Sequence, residues 1–377
     1  MSRILVLGAG MVGSAIAYDL AGRHDVSSAD INKEALKKLE KFSITTIHMD
    51  LSKFSQISKI VQDYDLIIGA VPGFMGFNTC KAVIESGKNI VDISFFPENA
   101  FDLQEIAERN NVFCIVDCGV APGMDNLILG YHSERMEVKN FICYVGGLPK
   151  IRNKPFEYKA PFSPIDVIEE YIRPARYVEN GFIVIKEPLS DPEYLEFDNI
   201  GTLEAFNTDG LRTLITTMNN IPNMKEKTLR YPGHIEYIKV LKDAGFFSNS
   251  EGEIGNYRIK PIDFTSKILF DSWKLKDNEP EFTVMRIIIE GIEQGKKIRY
   301  EYNLYDEYDV NTGITSMART TGYTATAVAN LIIDKNPEFR GVIPPEFIGK
   351  NQEYIDYIFS YLTDRNVIYR IKKSESH

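Results

Sequence analysis

Three glycines, Gly8, Gly10 and Gly13, directly follow the apolar run Ile4-Leu5-Val6-Leu7, and an acid, Asp30, stands 20 residues beyond Gly10. Each of these residues has a separate physical task. Gly8 permits a tight strand-to-helix turn, Gly10 lets the backbone approach an anion, and Gly13 allows close helix–strand packing. Met11 and Val12 open a helix whose first amides point at a pyrophosphate. Asp30, ending the next apolar run, has the separation of the carboxylate that hydrogen-bonds an adenosine ribose 2′-hydroxyl. The constellation is therefore that of a dinucleotide site. A carboxylate there repels a 2′-phosphate, which favours NAD, while Lys33 keeps NADP open. The bland alternative is a glycine-rich turn that binds nothing; strand, turn, helix, strand and acid in sequence argue against it.

These residues need a scaffold, and the first third of the chain supplies its pattern. Apolar runs near 3–7, 25–30, 43–49, 64–71, 89–94 and 112–117 alternate with helical periods near 11–22, 33–41, 53–62, 76–87 and 98–110. Runs such as Leu66-Ile67-Ile68-Gly69-Ala70-Val71 lack polar alternation, as parallel strands covered on both faces do. The expected fold class is α/β, a Rossmann doubly wound parallel sheet over residues 1–123. Ligands lie outside the carboxyl ends of such strands. Asp50, Ala70, Val71, Pro72, Ser94, Asp117 and Gly119 therefore join the glycines and Asp30 as candidate cofactor ligands. Phe74 and Phe95 are candidates to wall a substrate pocket.

Beyond Gly123 the pattern changes to alternating, antiparallel-type strands. In 298–304 the residues Ile298, Tyr300, Tyr302 and Leu304 share one face, and a turn over 291–297 makes a hairpin with 281–290. Further strands are expected near 140–147, 181–186 and 194–206, with helices near 164–171, 210–219, 233–244 and 261–272. This is a second, α+β domain over 124–314, expected to serve substrate binding and dimerisation through an open sheet. A small-residue helix near 318–334 and the rest of 315–377 are expected to return to the first domain.

Composition excludes several classes of function. The 377 residues carry a net charge of -10, which disfavours nucleic acid and anionic membranes as partners. Cys80, Cys114, Cys118 and Cys143 are too few and too irregular for a disulfide framework, and the five histidines show no ligand spacing, so no metal is expected. Arg3, the apolar run and Ala15-Ile16-Ala17 mimic a secretory signal, but cleavage there would remove the first strand and the glycine turn. The segment is read as structure, the protein as cytoplasmic, and its partner as a small molecule.

Several separated motifs carry a family resemblance: Gly8 to Gly13, Asp117-Cys118-Gly119-Val120-Ala121-Pro122-Gly123, Tyr144-Val145-Gly146-Gly147-Leu148-Pro149, Leu229-Arg230-Tyr231-Pro232-Gly233-His234, Met317-Ala318-Arg319-Thr320-Thr321-Gly322-Tyr323 and Gly341-Val342-Ile343-Pro344-Pro345-Glu346. Over nearly its whole length the chain resembles the saccharopine dehydrogenase superfamily, and within it the L-lysine 6-dehydrogenase branch of archaeal type. The resemblance implies a homodimer, a Rossmann domain with a catalytic domain of saccharopine dehydrogenase C-terminal type, and NAD-dependent oxidative deamination of lysine at its ε-carbon. The saccharopine-cleaving branch usually has an aspartate before Pro-Gly where this chain has Ala121.

That reading directs the choice of substrate residues. An amino-acid substrate presents an α-carboxylate, for which arginine is the natural clamp. Arg212 is the first choice, on a loop that resembles a substrate-facing one, with Thr208 and Asp209 able to contact the α-amino end. Otherwise Arg212 is a surface arginine. His234 opens a helix, where the dipole favours the neutral imidazole. It is either a base, a water-positioner or a satisfied structural histidine. Arg230 is either a carboxylate ligand or half of an ion pair, and Tyr158 and Lys159 are candidates on resemblance alone. The alternatives to lysine 6-dehydrogenase are a saccharopine dehydrogenase, needing a second clamp from Arg230 or Arg173, and a non-catalytic dinucleotide sensor.

Overall fold

The computed structural model describes residues 1–160, 164–276 and 278–375. It divides into two compact units, one of Met1–Glu137 with Met317–Tyr369, the other of Val138–Ser316 with Arg370 onward. The first unit thus extends past the expected limit of 123. Residues 376 and 377, part of the expected returning segment, lie outside the described residues.

In chain order the first unit begins with Arg3–Leu7 (β1), Met11–Ala21 (α1), Asp25–Asp30 (β2), Lys33–Glu40 (α2), Thr45–His48 (β3) and Phe54–Ile60 (α3). It continues with Leu66–Gly69 (β4), Gly73–Glu85 (α4), Ile90–Asp92 (β5), Gln104–Arg109 (α5), Phe113–Ile115 (β6) and Met124–Ser133 (α6). The second unit holds Glu137–Pro149 (β7), Pro164–Ile172 (α7), Ala175–Glu179 (β8), Phe182–Lys186 (β9), Glu193–Phe197 (β10), Gly201–Asn207 (β11), Leu214–Thr217 (α8) and Asn223–Arg230 (β12). After these come His234–Asp243 (α9), Gly252–Ile254 (β13), Tyr257–Ile259 (β14), Pro261–Trp273 (α10), Glu281–Glu293 (β15) and Lys296–Glu307 (β16). The chain then re-enters the first unit with Ser316–Lys335 (α11), Gly341–Ile343 (β17), Pro345–Gly349 (α12) and Gln352–Thr363 (α13), but Tyr369–Glu375 (β18) pairs with β16 in the second unit, so the returning segment stops at Tyr369 and not at the expected 377.

The first sheet has the order β17-β6-β5-β4-β1-β2-β3, its neighbouring strands running parallel. β1, β4, β5 and β6 are buried on both faces, which is why they read as apolar runs, whereas the edge strand β3 is half-buried to exposed. Strand order reverses beside β1, between its neighbours β2 and β4, so the crevice at the carboxyl end of β1 is the topological switch point. The glycine turn occupies that crevice. β17 adds a seventh strand on β6 through the register Gly341↔Phe113 to Ile343↔Ile115.

The second sheet runs β10-β11-β12-β7-β15-β16-β18, with β8 on β12 and β9 on β8. Its β15–β16 hairpin keeps register from Phe282↔Glu307 to Glu293↔Lys296. One face is covered by α7, α9 and α10 around the buried Trp273. The opposite face corrects the expectation of an open sheet. Tyr144, Leu203, Ala205, Leu229, Phe282 and Val284 form a buried cluster of strand residues. Arg286 on β15 donates from Nη2 to the Glu196 carbonyl near the far edge at 3.1 Å, and its guanidinium lies 4.2 Å from the Phe197 ring centroid. The sheet therefore curls until its first and fifth strands meet, burying its own concave side. Two element expectations also change: the run 194–206 is two strands, and the helix expected over 210–219 is the single turn α8.

Candidate active site

The glycine turn is shaped as its spacing requires. Gly8 has φ +115°, and a Cβ there would fall 2.3 Å from the Ala70 carbonyl oxygen. A Cβ on Gly13 would fall 2.2 Å from the Gly8 oxygen, whereas one on Gly10 would meet nothing within 4 Å. Gly8 and Gly13 are thus demanded by the packing of the turn itself. Gly10 is not, and its missing side chain matters only to something outside the protein. Met11 is exposed and Val12 half-buried at the start of α1, whose first amides have no intrahelical acceptor. This cradle at a helix N-terminus fits a dinucleotide pyrophosphate.

Asp30 braces the turn. Its Oδ2 accepts the Ala9 amide at 2.6 Å and its Oδ1 accepts the Asn32 amide at 2.7 Å. Each oxygen keeps a second lone pair for a ribose hydroxyl. Val71 is buried behind the turn, and Pro72 leads into α4. Asp50 accepts the amide and hydroxyl of Ser52 at 3.0 and 2.6 Å, which holds its carboxyl below the ordinary range. Phe74, on the first turn of α4, is exposed, while Phe95 is half-buried.

Ser94 requires a correction, because its hydroxyl and its amide both donate to Asp92 Oδ2, at 2.5 and 2.9 Å. The side chain expected to face a cofactor is committed to a buried acid. Asp92, which sequence reading overlooked, is fully buried, and burial, aided by Asp117, pushes it up to about 7. The available signal was an acid ending the apolar strand Ile90-Val91-Asp92. Asp117 is buried with φ +53°, and the Gly119 amide donates to the Pro122 carbonyl at 3.1 Å, closing the loop after β6.

In the second unit, His234, Tyr158 and Arg230 come together in a buried network. His234 Nδ1 lies 2.9 Å from the Phe156 carbonyl, an acceptor only, so Nδ1 carries the proton and Nε2 accepts from the Tyr171 hydroxyl at 3.0 Å. Burial, then the neighbouring Arg230, lowers the imidazole to about 3. Arg230 donates from Nε to the Tyr171 oxygen at 3.1 Å, from Nη1 to the Leu229 carbonyl at 2.9 Å, and from Nη2 to Glu170 at 3.0 Å. It also lies 4.4 Å from the Tyr158 ring centroid. Both ring nitrogens of His234 and all three guanidinium nitrogens of Arg230 are occupied. His234 is a neutral positioning residue for Tyr171 rather than an open base, and Arg230 is half of a buried ion pair. Glu170, Tyr171 and Phe156 had not been singled out.

The loop after β11 carries the remaining candidates. Thr208 shares a hydroxyl–hydroxyl bond of 3.0 Å with Thr228. Asp209, expected as a site residue at the α-amino end of a substrate, is instead committed to Arg176, which binds it through Nε and Nη2, both at 2.9 Å, and through its amide at 3.1 Å. Gly210 lies directly on Glu226, whose Oε1 is 1.8 Å from where a Cβ would be. Arg212 is buried at φ +45°, a backbone state an L-residue holds only when its surroundings impose it. Lys159 donates to the Ser272 carbonyl at 2.8 Å and so fastens the segment before α7 to α10.

Two family models match the chain. The saccharopine dehydrogenase C-terminal domain covers residues 119–368, and the saccharopine dehydrogenase NADP binding domain covers residues 4–115. The chain belongs to the saccharopine dehydrogenase family. Among the relatives of this family member, the NADP(+)-linked, glutamate-forming saccharopine dehydrogenase of Schizosaccharomyces pombe is 28% identical over 67% of the chain and 60% of that enzyme. The carboxyaminopropylagmatine dehydrogenase of Synechocystis is 22% identical over 93% of the chain and 95% of that protein. The chain thus spans about 60% of the length of the fission yeast enzyme. Apo saccharopine dehydrogenase (L-Glu forming) from Saccharomyces cerevisiae has the same fold, with a TM-score of 0.78 at 20% identity over 99% of this chain and all of that one. Homospermidine synthase from Legionella pneumophila, solved with NAD, gives 0.70 at 11% identity over 100% of this chain and 91% of that one. Among the described residues, no cluster of His, Cys, Asp and Glu could hold a metal, and no helix is long and apolar enough to cross a membrane.

Proposed function

We propose that this saccharopine dehydrogenase family member oxidatively deaminates L-lysine at its ε-carbon with NAD, hydride loss giving an imine that water hydrolyses, so that L-lysine, NAD and water yield 2-aminoadipate 6-semialdehyde, ammonia, NADH and a proton. Gly8, Gly10, Gly13, the first turn of α1 and Asp30 hold the dinucleotide. When bound, the nicotinamide supplies the acceptor for a hydride from the carbon beside the amine. The substrate must react with its nitrogen lone pair free, although a lysine amine has a pKa of about 10.4 in water. Apolar surroundings lower that value by desolvating the ammonium. Arg212 receives the α-carboxylate. His234 keeps the Tyr171 hydroxyl in one orientation.

The observation that carries this choice of substrate is the state of Arg230. Saccharopine carries the carboxylates of a glutamate moiety besides that of lysine and needs a further clamp. Arg230 and Arg173 are the candidates, yet each guanidinium nitrogen of Arg230 is bonded within the fold and Arg173 lies 3.5 Å from Glu169. Ala121, where the saccharopine-cleaving branch usually has aspartate, points the same way. Choosing NAD rests on the Asp30 carboxylate, which repels a 2′-phosphate.

A second reading, glutamate-forming saccharopine dehydrogenase, is favoured by the identity to the fission yeast enzyme. The two separate in one spectrophotometric experiment. L-lysine with NAD raises absorbance at 340 nm on the first reading. On the second, only saccharopine does so, or 2-aminoadipate semialdehyde plus glutamate in reverse. Cofactor binding without turnover of either substrate would leave the dinucleotide sensor.

A further inference from the structure

Helix α1 starts at the glycine turn and ends at Ala21, 11 residues and therefore about 16 Å further on. Around that far end, where the chain enters β2, Tyr18, Asp19, Gly22, Arg23, Phe42 and Arg365 line a cleft of about 490 Å³. Small-molecule sites typically measure about 300–1,000 Å³. All of these residues belong to the first unit, and the length of α1 separates the cleft from the glycine turn.

Arg365 is held there as a preformed donor. Its Nε donates to Asp19 Oδ1 at 2.6 Å and its Nη1 to the Tyr361 carbonyl at 3.2 Å, while the guanidinium carbon lies 3.4 Å from the Tyr361 ring centroid. Asp19 is fixed in turn by the hydroxyls of Thr326 and Tyr361, which donate to its Oδ2 at 2.5 and 2.7 Å. Nη2 of Arg365 has no acceptor among the described residues. A guanidinium pinned in this way, with the N–H bonds of one nitrogen to spare, can accept a carboxylate without being ordered by it.

The charges around the cleft select the ligand. Arg365 is matched by Asp19 at 2.6 Å and Arg23 by Asp334 at 3.0 Å, so a bare anion gains little net attraction. The carboxyl end of α1 faces the same cleft through Asp19 and Gly22, and the negative end of a helix dipole favours a cation. Donors for a carboxylate thus stand beside acceptors for an ammonium. The remaining wall is aromatic. Tyr18 and Phe42 meet edge to face with centroids 4.7 Å apart, and Phe42 is 37% exposed.

We propose that this cleft binds a free α-amino acid with an aromatic side chain, at a site separate from that of the substrate. Nη2 of Arg365 takes the α-carboxylate, the carboxyl end of α1 takes the α-ammonium, and the side chain lies against Tyr18 and Phe42. The proposal holds whichever amine the second unit oxidises.

The probe is L-phenylalanine, titrated by calorimetry into the full chain. Saturable binding is expected, and phenylacetate, which lacks the ammonium, and 2-phenylethylamine, which lacks the carboxylate, should each bind at least tenfold more weakly. Arg365→Lys keeps a cation beside Asp19 but removes the spare N–H bonds, and should raise the dissociation constant at least tenfold. Phe42→Ser, at an exposed side chain, should raise it at least threefold with an unchanged circular dichroism melt. Arg212→Ala, in the proposed substrate site, should leave it within twofold of the wild type. No saturation by about 10 mM, an analogue binding as tightly as L-phenylalanine, an unaltered constant in Phe42→Ser, or loss of binding in Arg212→Ala overturns the proposal.

Discussion

The Tyr171 hydroxyl donates to Nε2 of His234 across 3.0 Å, and the opposite ring nitrogen donates to the Phe156 carbonyl at 2.9 Å. Those bonds fix the tautomer, and burial, then the neighbouring Arg230, holds the ring in its neutral form, at about 3 against an ordinary 6.5. An unfolded chain takes up a proton near 6.5 that the folded protein refuses until about 3. The stabilisation from His234 is therefore complete above pH 6.5 and is lost as pH falls towards 3. Denaturant titrations of the wild type and His234→Gln should diverge on acidification, the wild type losing about 2 kcal/mol more between pH 7 and pH 5. Parallel pH dependences would reject this reading of the histidine.

The glycine turn separates stability from binding. Gly13→Val drives a side chain into the Gly8 carbonyl and should lower the melting temperature clearly. Gly10→Val places its Cβ with no protein atom within 4 Å and should leave the melt unchanged while reducing dinucleotide affinity at least tenfold, as read by calorimetry. A Gly10→Val protein that binds NAD normally would remove the turn from the cofactor site.

Asp30→Ala should weaken NAD by about tenfold, the value of a charged hydrogen bond of about 1.5 kcal/mol or more. NADP should lose less, because the same change removes repulsion from its 2′-phosphate. Equal losses for both nucleotides would mean that Asp30 acts only as a brace for the Ala9 amide.

Arg212→Ala should raise the KM for L-lysine by about 10- to 100-fold, from the loss of a charge-assisted contact of about 1.5–3 kcal/mol. NAD affinity, measured without amino acid, should stay at the wild-type value. An unaltered KM takes Arg212 out of the substrate site.

The first sheet was readable because its information is local. Ile4 to Leu7, Leu66 to Ile68 and Ile90 to Val91 are continuous apolar runs, and parallel strands buried on both faces need no other pattern. β17 was missed: Gly341-Val342-Ile343 is three residues long and becomes a strand only by pairing with β6 far back in the chain. β12 was missed for the opposite reason. Asn-Met-Lys-Glu-Lys-Thr-Leu-Arg reads as solvated, yet it is a central strand. Lys227 reaches Glu193 at 2.7 Å and Arg230 reaches Glu170, pairings that sequence spacing cannot reveal. Candidate site residues were similarly legible by type and not by partner. Asp209, Ser94 and Arg230 carry the right groups for ligand chemistry, and only Arg176, Asp92 and Glu170 show those groups to be engaged.

The placement of β17 also sets an order of events during synthesis. The leading strands of the nucleotide-binding sheet emerge from the ribosome first, but the strand that covers the edge of β6 arrives only after residue 343 has been made. The contiguous stretch Val138–Ser316 can meanwhile form all of its sheet but β18, whereas the amino-terminal sheet waits with the edge of β6 bare. Nascent chains halted before Gly341 should therefore be the ones that chaperones must guard.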